Sequence, residues 1–556
     1  MSATPADAAG LGPATDAPVR QGEPWNWAIA LFGGAVFGSG FNLVLLPAPA
    51  GWLAPVMVMA GIGLILRSLR GTGAPGRGAL LGLLGHLGAG AVGLFWMRCI
   101  TFPAYLGVAL YIALYGAGFG ALLVLARRRT PGWAHPLLAA GLWTALEWVR
   151  SWAFTGFPWM LAGSVWADLP LAMGPADLGG VHLVSFLTAL MPAMLVAERP
   201  KRRLVRGITA AGIALLVLGY SALGILGVAA AQSPSTGENR CSPLRVAAVQ
   251  PLVPFKVGPK ANRERMLADQ LELCQGLEPG TIDLLIMSET MIPGDLNEQV
   301  EPTLAPLARE KRCCLLAGGV IHEGRDADGA WAGRSWNSAL LVSPAGAVLG
   351  RYDKRHLVPF GEYVPFGGRF PGADYVFHLI GTIFTPGEAH PLIVAEDRVG
   401  TASLPGQAGT TVLVGYSVPL AVNICYEDCF PYIARRDARR GARLMVNLTN
   451  DSWFRQSSEA RQHLALAAFR AVETRTPLVR ATNTGITALI NADGAITAPP
   501  EGGLWRKGLV RMDAPVGRGR PTVYASVGDV FVWLCAAAAV GAALAGLRRS
   551  TPKTPG

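Results

Sequence analysis

The stretch Val418-Pro419-Leu420-Ala421-Val422-Asn423-Ile424-Cys425-Tyr426-Glu427-Asp428 decides the fold of the second half of the chain. Its apolar run is typical of a buried β-strand, and the polar residues that follow begin a predicted helix. Cys425 therefore falls on a sharp strand-to-helix turn that exposes its thiol. Because a helix N-terminus or a nearby cation lowers the pKa of a thiol, we expect Cys425 to be reactive. The alternative is a buried structural thiol, for which Cys429 is the better candidate.

Strand and helix patterns alternate on both sides of this stretch, from 243 to 512. Alternation of this kind predicts a layered α/β domain. Further strands are predicted at 244–249, 283–287, 313–317, 339–342, 443–447 and 478–481, and helices at 262–277 and 459–475.

Two other segments of this domain carry charged residues suited to catalysis. Glu289 follows an apolar strand, at a position where sheets commonly display catalytic groups, although a surface glutamate is the alternative. Lys354 opens an irregular loop rich in Pro and Gly that runs to Pro365. Together with Cys425 these residues suggest a mechanism in which a carboxylate takes the thiol proton and the thiolate attacks a carbonyl. A lysine and a backbone N–H would stabilise the oxyanion, and a thioester would form.

The first half of the chain has a different composition. The protein has 556 residues, of which 51% are hydrophobic and 15% charged, whereas soluble proteins average about 25% charged residues. A helix needs about 20 apolar residues to cross the hydrocarbon layer. Eight apolar runs suit this length, although the second and fifth are short: 26–46, 52–66, 79–97, 104–126, 134–150, 178–197, 207–230 and 523–546.

Clusters of Arg and Lys between these runs predict the orientation in a membrane. They lie at 67–77, 127–129, 199–206 and 548–553, which is one side if all eight runs span. Basic loops are cytoplasmic, so both termini should lie inside and 231–522 outside the cytoplasm. The net charge of +11 is thereby explained without nucleic acid as a partner. The predicted division is a disordered cytoplasmic tail (1–23), a seven-helix membrane domain (24–230), an extracytoplasmic catalytic domain (243–512) and a last membrane helix (523–546).

The segment from Glu147 to Trp159 mixes charges and indoles at a predicted membrane edge. Glu147 and Arg150 are three residues apart and could pair on one helix face. Charges within a membrane segment suggest function, so both are candidate substrate-binding or supporting residues. An ordinary interfacial tryptophan belt is the alternative.

Residues 245–490 resemble the nitrilase (carbon–nitrogen hydrolase) superfamily, whose Glu–Lys–Cys triad on an αββα sandwich matches Glu289, Lys354 and Cys425 in order. Combined with the apolar helices, the chain resembles the membrane-bound acyltransferases of bacterial lipoprotein maturation. Further matches to that family are Glu147–Trp159, Lys354–Pro365, Asn447–Phe454, Arg480–Gly485 and Gly528-Asp529.

The resemblance implies a general base at Glu289, an oxyanion-stabilising cation at Lys354 and a nucleophile at Cys425. Glu362, Tyr426 and Glu427 would support the triad. The family often has a tryptophan after the first strand of the domain, and Phe255 would substitute for it in substrate binding.

The resemblance also implies the substrates and the setting of the reaction. A phospholipid would be the acyl donor and a diacylglyceryl apolipoprotein the acceptor, in a ping-pong reaction at the bacterial cytoplasmic membrane. We expect a monomer with no cofactor, and no metal because no Cys/His spacing suits zinc.

A membrane-anchored amidase of the nitrilase type remains an alternative, since water could resolve the same thioester. A transporter with an extracytoplasmic module is the second alternative.

Overall fold

The computed structural model describes the chain except for residues 1–24, 48, 197–202, 233–241, 254–259, 327–330, 366–382, 389–391, 404–410, 518 and 549–556. The predicted tail and Phe255 therefore lie outside the described residues.

Helices occupy each of the eight predicted apolar runs. The first half contains α1 (Asn26–Leu43), α2 (Leu53–Ser68), α3 (Pro75–Gly93), α4 (Phe102–Arg127), α5 (His135–Arg150), α6 (Pro170–Met173), α7 (Ala176–Val196) and α8 (Arg203–Gln232). Among the described residues, four helices are long and apolar enough to cross a membrane, against the eight runs predicted. They are Phe102–Arg127, Ala176–Val196, Gly207–Gly227 within α8 and Val530–Leu547 at the end of the chain.

Glycines let the first helices pack with their backbones in contact. A Cβ built on Gly34 of α1 would lie 1.7 Å from the carbonyl oxygen of Gly85 in α3. One built on Gly120 of α4 would lie 1.9 Å from the Gly78 carbonyl oxygen. Small residues are the usual means of close helix approach in membranes, where lipid tails already solvate larger apolar side chains.

The second half forms two six-stranded sheets. The first has the strand order β12-β1-β2-β3-β4-β5 and the second β11-β10-β9-β8-β7-β6. Strands β1 to β3 run parallel, and so do β7 to β9. The strands are β1 (Leu244–Gln250), β2 (Leu284–Asp295), β3 (Cys314–Arg325), β4 (Trp331–Val342), β5 (Val348–Asp353), β6 (Ile393–Ser403), β7 (Thr411–Ile424), β8 (Leu444–Thr449), β9 (Leu478–Thr482), β10 (Ala488–Ile490), β11 (Ile496–Thr497) and β12 (Gly508–Ala514).

The two sheets pack face to face, and helices cover both outer faces. Val246 and Ile286 of the first sheet share a buried core with Val422 and Leu448 of the second. This arrangement confirms the predicted αββα sandwich. The helices of this half are α9 (Lys260–Gln275), α10 (Ala305–Lys311), α11 (Pro431–Arg439) and α12 (Glu459–Thr474), followed by α13 (Val523–Val527) and α14 (Val530–Leu547).

One apolar core joins the outer face of the second sheet to the helical domain. Tyr426, Phe430 and Leu464 of the sandwich belong to the same buried cluster as Trp96 and Trp143 of the helical domain. The helical domain therefore packs against α12 and the turn that carries Cys425, on the outer side of the second sheet.

Candidate active site

Cys425 lies immediately after β7, in the left-handed backbone region at φ +53°. This conformation is uncommon for a residue other than glycine and is found where a local structure is tightly specified. The predicted helix after it is only a 3-10 turn, Cys425–Cys429, and the α-helix begins at Pro431. The side chain of Cys425 is partly buried.

The expected lowering of the thiol pKa at Cys425 is wrong for this resting state. Burial and the nearby Glu289 carboxylate raise the pKa of the thiol, although Lys354 opposes them. A five-residue turn also supplies too little helix to stabilise a thiolate on its own. The thiol is therefore protonated at neutral pH and needs a base to become nucleophilic.

Lys354 follows β5 directly and is almost completely buried. Its Nζ donates hydrogen bonds to Glu362 Oε1 at 2.8 Å and to Glu289 Oε1 at 3.3 Å. Burial opposes its charge, but Glu362, Glu289 and Cys425 together hold the pKa of Lys354 well above its usual range. The lysine is thus a fixed cation beside the thiol.

Glu289 lies within β2, where the register between β2 and β3 shifts after Met287. The strand continues beyond it to Asp295, whereas the sequence predicted its end before the glutamate. Burial and the Glu362 carboxylate raise the pKa of Glu289, and Lys354 lowers it. A carboxylate with a raised pKa is a stronger base for a thiol proton.

Asn337 of β4 fixes both carboxylates, and sequence reasoning missed it. Its Nδ2 donates to Glu289 Oε1 at 2.8 Å and to Glu362 Oε1 at 3.1 Å. Its main-chain carbonyl accepts the N–H of Lys354 at 2.8 Å. One asparagine therefore sets the relative positions of the base, the cation and the second carboxylate.

Glu362 and Glu427 tie the Lys354 loop to its surroundings. Glu362 Oε2 accepts the main-chain N–H of Val358 at 2.8 Å, which closes the loop on itself. Glu427 is fully buried and accepts four hydrogen bonds. Its donors are the Tyr352 hydroxyl and the N–H groups of Arg355, His356 and Ile424.

Tyr426 connects the nucleophile turn to the helical domain. Its hydroxyl donates to the carbonyl of Gly156 at 3.1 Å. Its ring lies nearly parallel to that of Trp159, with 6.3 Å between the centroids. The residue next to the thiol thus contacts the loop that follows α5.

Glu147 and Arg150 hold this same loop instead of pairing with each other as predicted. Glu147 Oε1 accepts the N–H of Ala162 at 2.9 Å, and Arg150 Nη2 donates to the Trp159 carbonyl at 2.7 Å. Both residues are buried, and each is 5% exposed to solvent. One oxygen of Glu147 and one nitrogen of Arg150 therefore hold the loop, whereas Glu147 Oε2 and Arg150 Nε are buried without a hydrogen-bond partner among the described residues.

A buried ionic network lies beneath the nucleophile turn. Arg480 donates to Asp428, to Asp451 at 3.1 Å and to His463 Nδ1 at 2.8 Å. The other ring nitrogen of His463, Nε2, lies 2.7 Å from Asp428 Oδ1. Two overlapping groups here have metal-ligand spacing, Asp428/Cys429/His463 and Asp451/Glu459/His463. The Arg480 guanidinium already places a positive charge between Asp428 of the first group and Asp451 of the second.

Asn447 of β8 links this network to the nucleophile. Its Nδ2 donates to the main-chain carbonyl of Cys425 at 3.0 Å, and its Oδ1 accepts from Arg480 at 3.2 Å. These two hydrogen bonds fix the backbone of Cys425 relative to the ionic network around Arg480.

The structure brings Glu289, Lys354 and Cys425 together, with Glu362, Tyr426 and Glu427 around them. A base, a fixed cation and a thiol at the end of a strand can form and resolve a thioester. The chemistry that this arrangement supports is acyl transfer to water or to another nucleophile.

Comparisons with known proteins cover both halves of the chain. Residues 245–522 match the family described as carbon-nitrogen hydrolase, and residues 39–194 match the apolipoprotein N-acyltransferase N-terminal domain. The apolipoprotein N-acyltransferase of Geobacter metallireducens is 32% identical, over 91% of this chain and 94% of its own length. That of Bordetella bronchiseptica is 33% identical, over 92% and 95%. A solved amidase from Nesterenkonia sp. covers 50% of this chain and 94% of its own, at 22% identity and a TM-score of 0.32.

Proposed function

The chain belongs to the apolipoprotein N-acyltransferase family, and on this premise we propose that Cys425 takes a fatty acyl chain from a phospholipid as a thioester. The acyl chain then passes to the N-terminal α-amine of the diacylglyceryl-cysteine of an apolipoprotein. The enzyme is an N-acyltransferase with a carbon-nitrogen hydrolase domain. The observation that carries the proposed mechanism is the buried Glu289–Lys354 pair, which acts electrostatically on the Cys425 thiol.

In the first half-reaction Glu289 takes the thiol proton and the sulfur attacks the carbonyl carbon of the phospholipid ester. The new oxyanion is stabilised by the Lys354 ammonium group, which its two carboxylate neighbours keep charged. The C–O bond to glycerol breaks, and the proton held by Glu289 goes to the departing glycerol oxygen, which leaves as the hydroxyl of the lysophospholipid. An acyl thioester on Cys425 remains.

In the second half-reaction the α-amine of the lipoprotein attacks the thioester. The C–N bond forms, the C–S bond breaks, and Glu289 takes the amine proton and returns it to the thiolate. Lys354 again stabilises the oxyanion. Acyl transfer instead of hydrolysis requires that water be kept from the thioester. The apolar packing of the helical domain against the nucleophile turn, where Trp159 contacts Tyr426, supports this requirement.

We place the enzyme in the bacterial cytoplasmic membrane as a multi-pass protein with its catalytic domain outside the cytoplasm. The distribution of basic residues supports this orientation. Arg128 donates to the carbonyl of Gly73, and Arg129 to that of Arg548, so three of the basic clusters meet at one end of the helices. The catalytic domain contacts the helices near Asn42, at the far end of α1. Basic residues at the end away from the catalytic domain fit a cytoplasmic face.

We further propose that the enzyme acts as a monomer, because the described residues of one chain supply the base, the cation and the nucleophile. Glu147 and Arg150 hold the 156–162 loop through the N–H of Ala162 and the carbonyl of Trp159, and their contact with substrate stays a prediction. An amidase reaction is not favoured, since the relatives that match along nearly the whole chain are acyltransferases by name.

Intact-mass analysis tests the first half-reaction. Purified protein is incubated with a phospholipid of one defined acyl chain, and the native protein should gain the mass of that chain. Neutral hydroxylamine should remove it, because it cleaves thioesters. Cys425→Ala should gain nothing, whereas Cys274→Ala, which removes a buried thiol of α9 on the outer side of the first sheet, should be acylated normally.

Adding a diacylglyceryl-cysteine peptide to the acylated protein tests the second half-reaction. The acyl chain should move to the peptide amine as an amide that resists hydroxylamine. Release of free fatty acid at the same rate with and without peptide would favour hydrolysis and overturn the proposal.

A further inference from the structure

Gln462 of α12 is a buried amide through which the catalytic domain contacts two tryptophans of the helical domain. Its Oε1 accepts the indole N–H of Trp159 at 2.7 Å and that of Trp96 at 3.1 Å. The residue is only 3% exposed. Gln462 Oε1 thus accepts two hydrogen bonds, and both donors belong to the helical domain.

The nitrogen of the same amide also bonds to the helical domain. Nε2 donates to the carbonyl of Gly93 at 3.1 Å and to Asn42 Oδ1 at 3.3 Å. Indole N–H groups only donate and a main-chain carbonyl only accepts, so the orientation of the Gln462 amide is fixed by its partners. A glutamate would keep the acceptor oxygen but would turn a second oxygen toward the Gly93 carbonyl.

Trp159 lies between Gln462 and the nucleophile turn. Its ring stacks on Tyr426, the neighbour of Cys425, and lies 5.5 Å from the ring of His463. His463, the next residue after Gln462, in turn contacts Asp428 of the same turn. The contacts therefore form a closed path from the thiol residue through Tyr426 and Trp159 to α12, and back through Asp428.

We propose that Gln462 is a positioning residue for the acyl-transfer reaction: it holds Trp159 against Tyr426 and so lets the helical domain set the placement of Cys425. This inference rests on the proposed function, because it assumes that Cys425 carries the acyl chain. Gln462 touches neither the thiol nor the triad, and acts through the ring of Trp159. Displacing a catalytic group by about 1 Å costs about 100-fold in rate, which is why a remote amide matters.

The test compares Gln462→Leu and Gln462→Glu with a matched control in full-length protein. The control is Thr188→Val, which removes the buried hydroxyl that accepts the Trp166 indole N–H at 2.8 Å, a contact made entirely within the helical domain. Single-turnover thioester formation is measured against the concentration of one defined phospholipid. Both Gln462 variants should lose about 10- to 100-fold in the maximal rate, with the half-saturating phospholipid concentration changed less than about twofold. Thr188→Val should keep both values even where it lowers Tm.

A double-mutant cycle with Trp159→Phe identifies the route of the effect. Since Gln462 acts through Trp159, the double variant should be no slower than Trp159→Phe alone. Multiplicative losses, or a normal maximal rate in Gln462→Glu and Gln462→Leu, would overturn the inference. If Gln462→Leu fails to fold, Gln462→Glu and Trp159→Phe decide the question. Absence of any thioester in the native protein would instead reject the proposed function.

Discussion

The carboxylate of Glu427, two residues after the proposed nucleophile, accepts the main-chain N–H of Arg355, the residue after Lys354, at 2.8 Å. A second bond from the same side chain reaches the N–H of Ile424, just before Cys425. Glu427 therefore joins the backbone next to the cation to the backbone next to the thiol. Burial raises the pKa of this carboxyl, and its hydrogen bonds favour the ionised form.

Glu427→Gln should separate these two backbone segments. An amide has only one acceptor oxygen, so at least one buried donor among Ile424, Arg355 and His356 loses its partner, at a cost of about 1–3 kcal/mol. We expect a lower Tm and a loss of about tenfold or more in thioester formation. Thermal unfolding and single-turnover acylation measure the two effects. Glu301→Gln, at an exposed carboxylate outside the site, is the control, and equal rates in both variants would contradict the role assigned to Glu427.

Glu362→Gln should move the acid limb of the pH–rate profile to lower pH. Glu289 must be ionised to take the thiol proton, so the rate falls as pH drops through its pKa. The Glu362 charge helps to raise the pKa of Glu289, and its removal therefore lowers that pKa. A weaker base should also reduce the maximal rate roughly tenfold. Thioester formation measured across pH checks this, with exposed Glu278→Gln as control. An unchanged acid limb would argue against Glu289 as the base.

The buried carboxyl group of Glu459 leads us to expect that the stability of the fold decreases as pH rises. Burial and the neighbouring Asp451 charge raise the pKa of Glu459 to about 7 in the folded protein. A carboxyl whose folded pKa is raised stabilises the fold below its unfolded pKa, and this contribution is lost as pH rises through about 7. Tm of the native protein should therefore decrease between pH 5 and 8 more steeply than Tm of Glu459→Gln. Parallel curves for the two proteins would show that Glu459 does not titrate in this range.

A side chain at Gly528 should be strained, because this residue adopts φ +75° and lies against the guanidinium of Arg435 of α11. A Cβ at this position would lie 2.1 Å from Arg435 Nη2, and that guanidinium also lies over the ring of Tyr524 at 5.0 Å. Gly528→Ala should cost about 1–3 kcal/mol of stability. Gly541→Ala, in the last helix with no atom near the added methyl group, should instead be neutral or stabilise by up to about 1 kcal/mol. Thermal unfolding in one detergent compares the two.

Local patterns were sufficient to predict the layered fold, because its strands are runs of apolar residues that end at turns. The run from Val418 to Ile424 and the polar residues after it predicted the strand, the turn and the position of the thiol. The sandwich and the helical domain are confirmed. The roles of Glu289, Lys354 and Cys425 stay predictions, although the structure brings the three residues together.

The supporting residues could not be predicted because their partners are remote in sequence. Asn337 bonds to Glu289 across 48 positions, and Gln462 bonds to Asn42 across 420. The spacing of Glu147 and Arg150 suggested a pair, since three residues place two side chains on one helix face. It could not reveal that a returning loop offers each of them a backbone partner. The raised pKa of the Cys425 thiol likewise depends on burial that only the assembled domains create.

The apolar core shared by Phe430 and Leu464 with Trp96 and Trp143 joins the catalytic domain directly to the helices that we place in the bilayer. The outer helices α11 and α12 of the sandwich share this core, so an excised catalytic fragment would expose their apolar side to water. A change in the packing of those helices would reach the turn that carries the thiol through Trp159 and Tyr426, which are in direct contact. We therefore expect membrane thickness and the choice of detergent to change the rate of acylation as well as solubility.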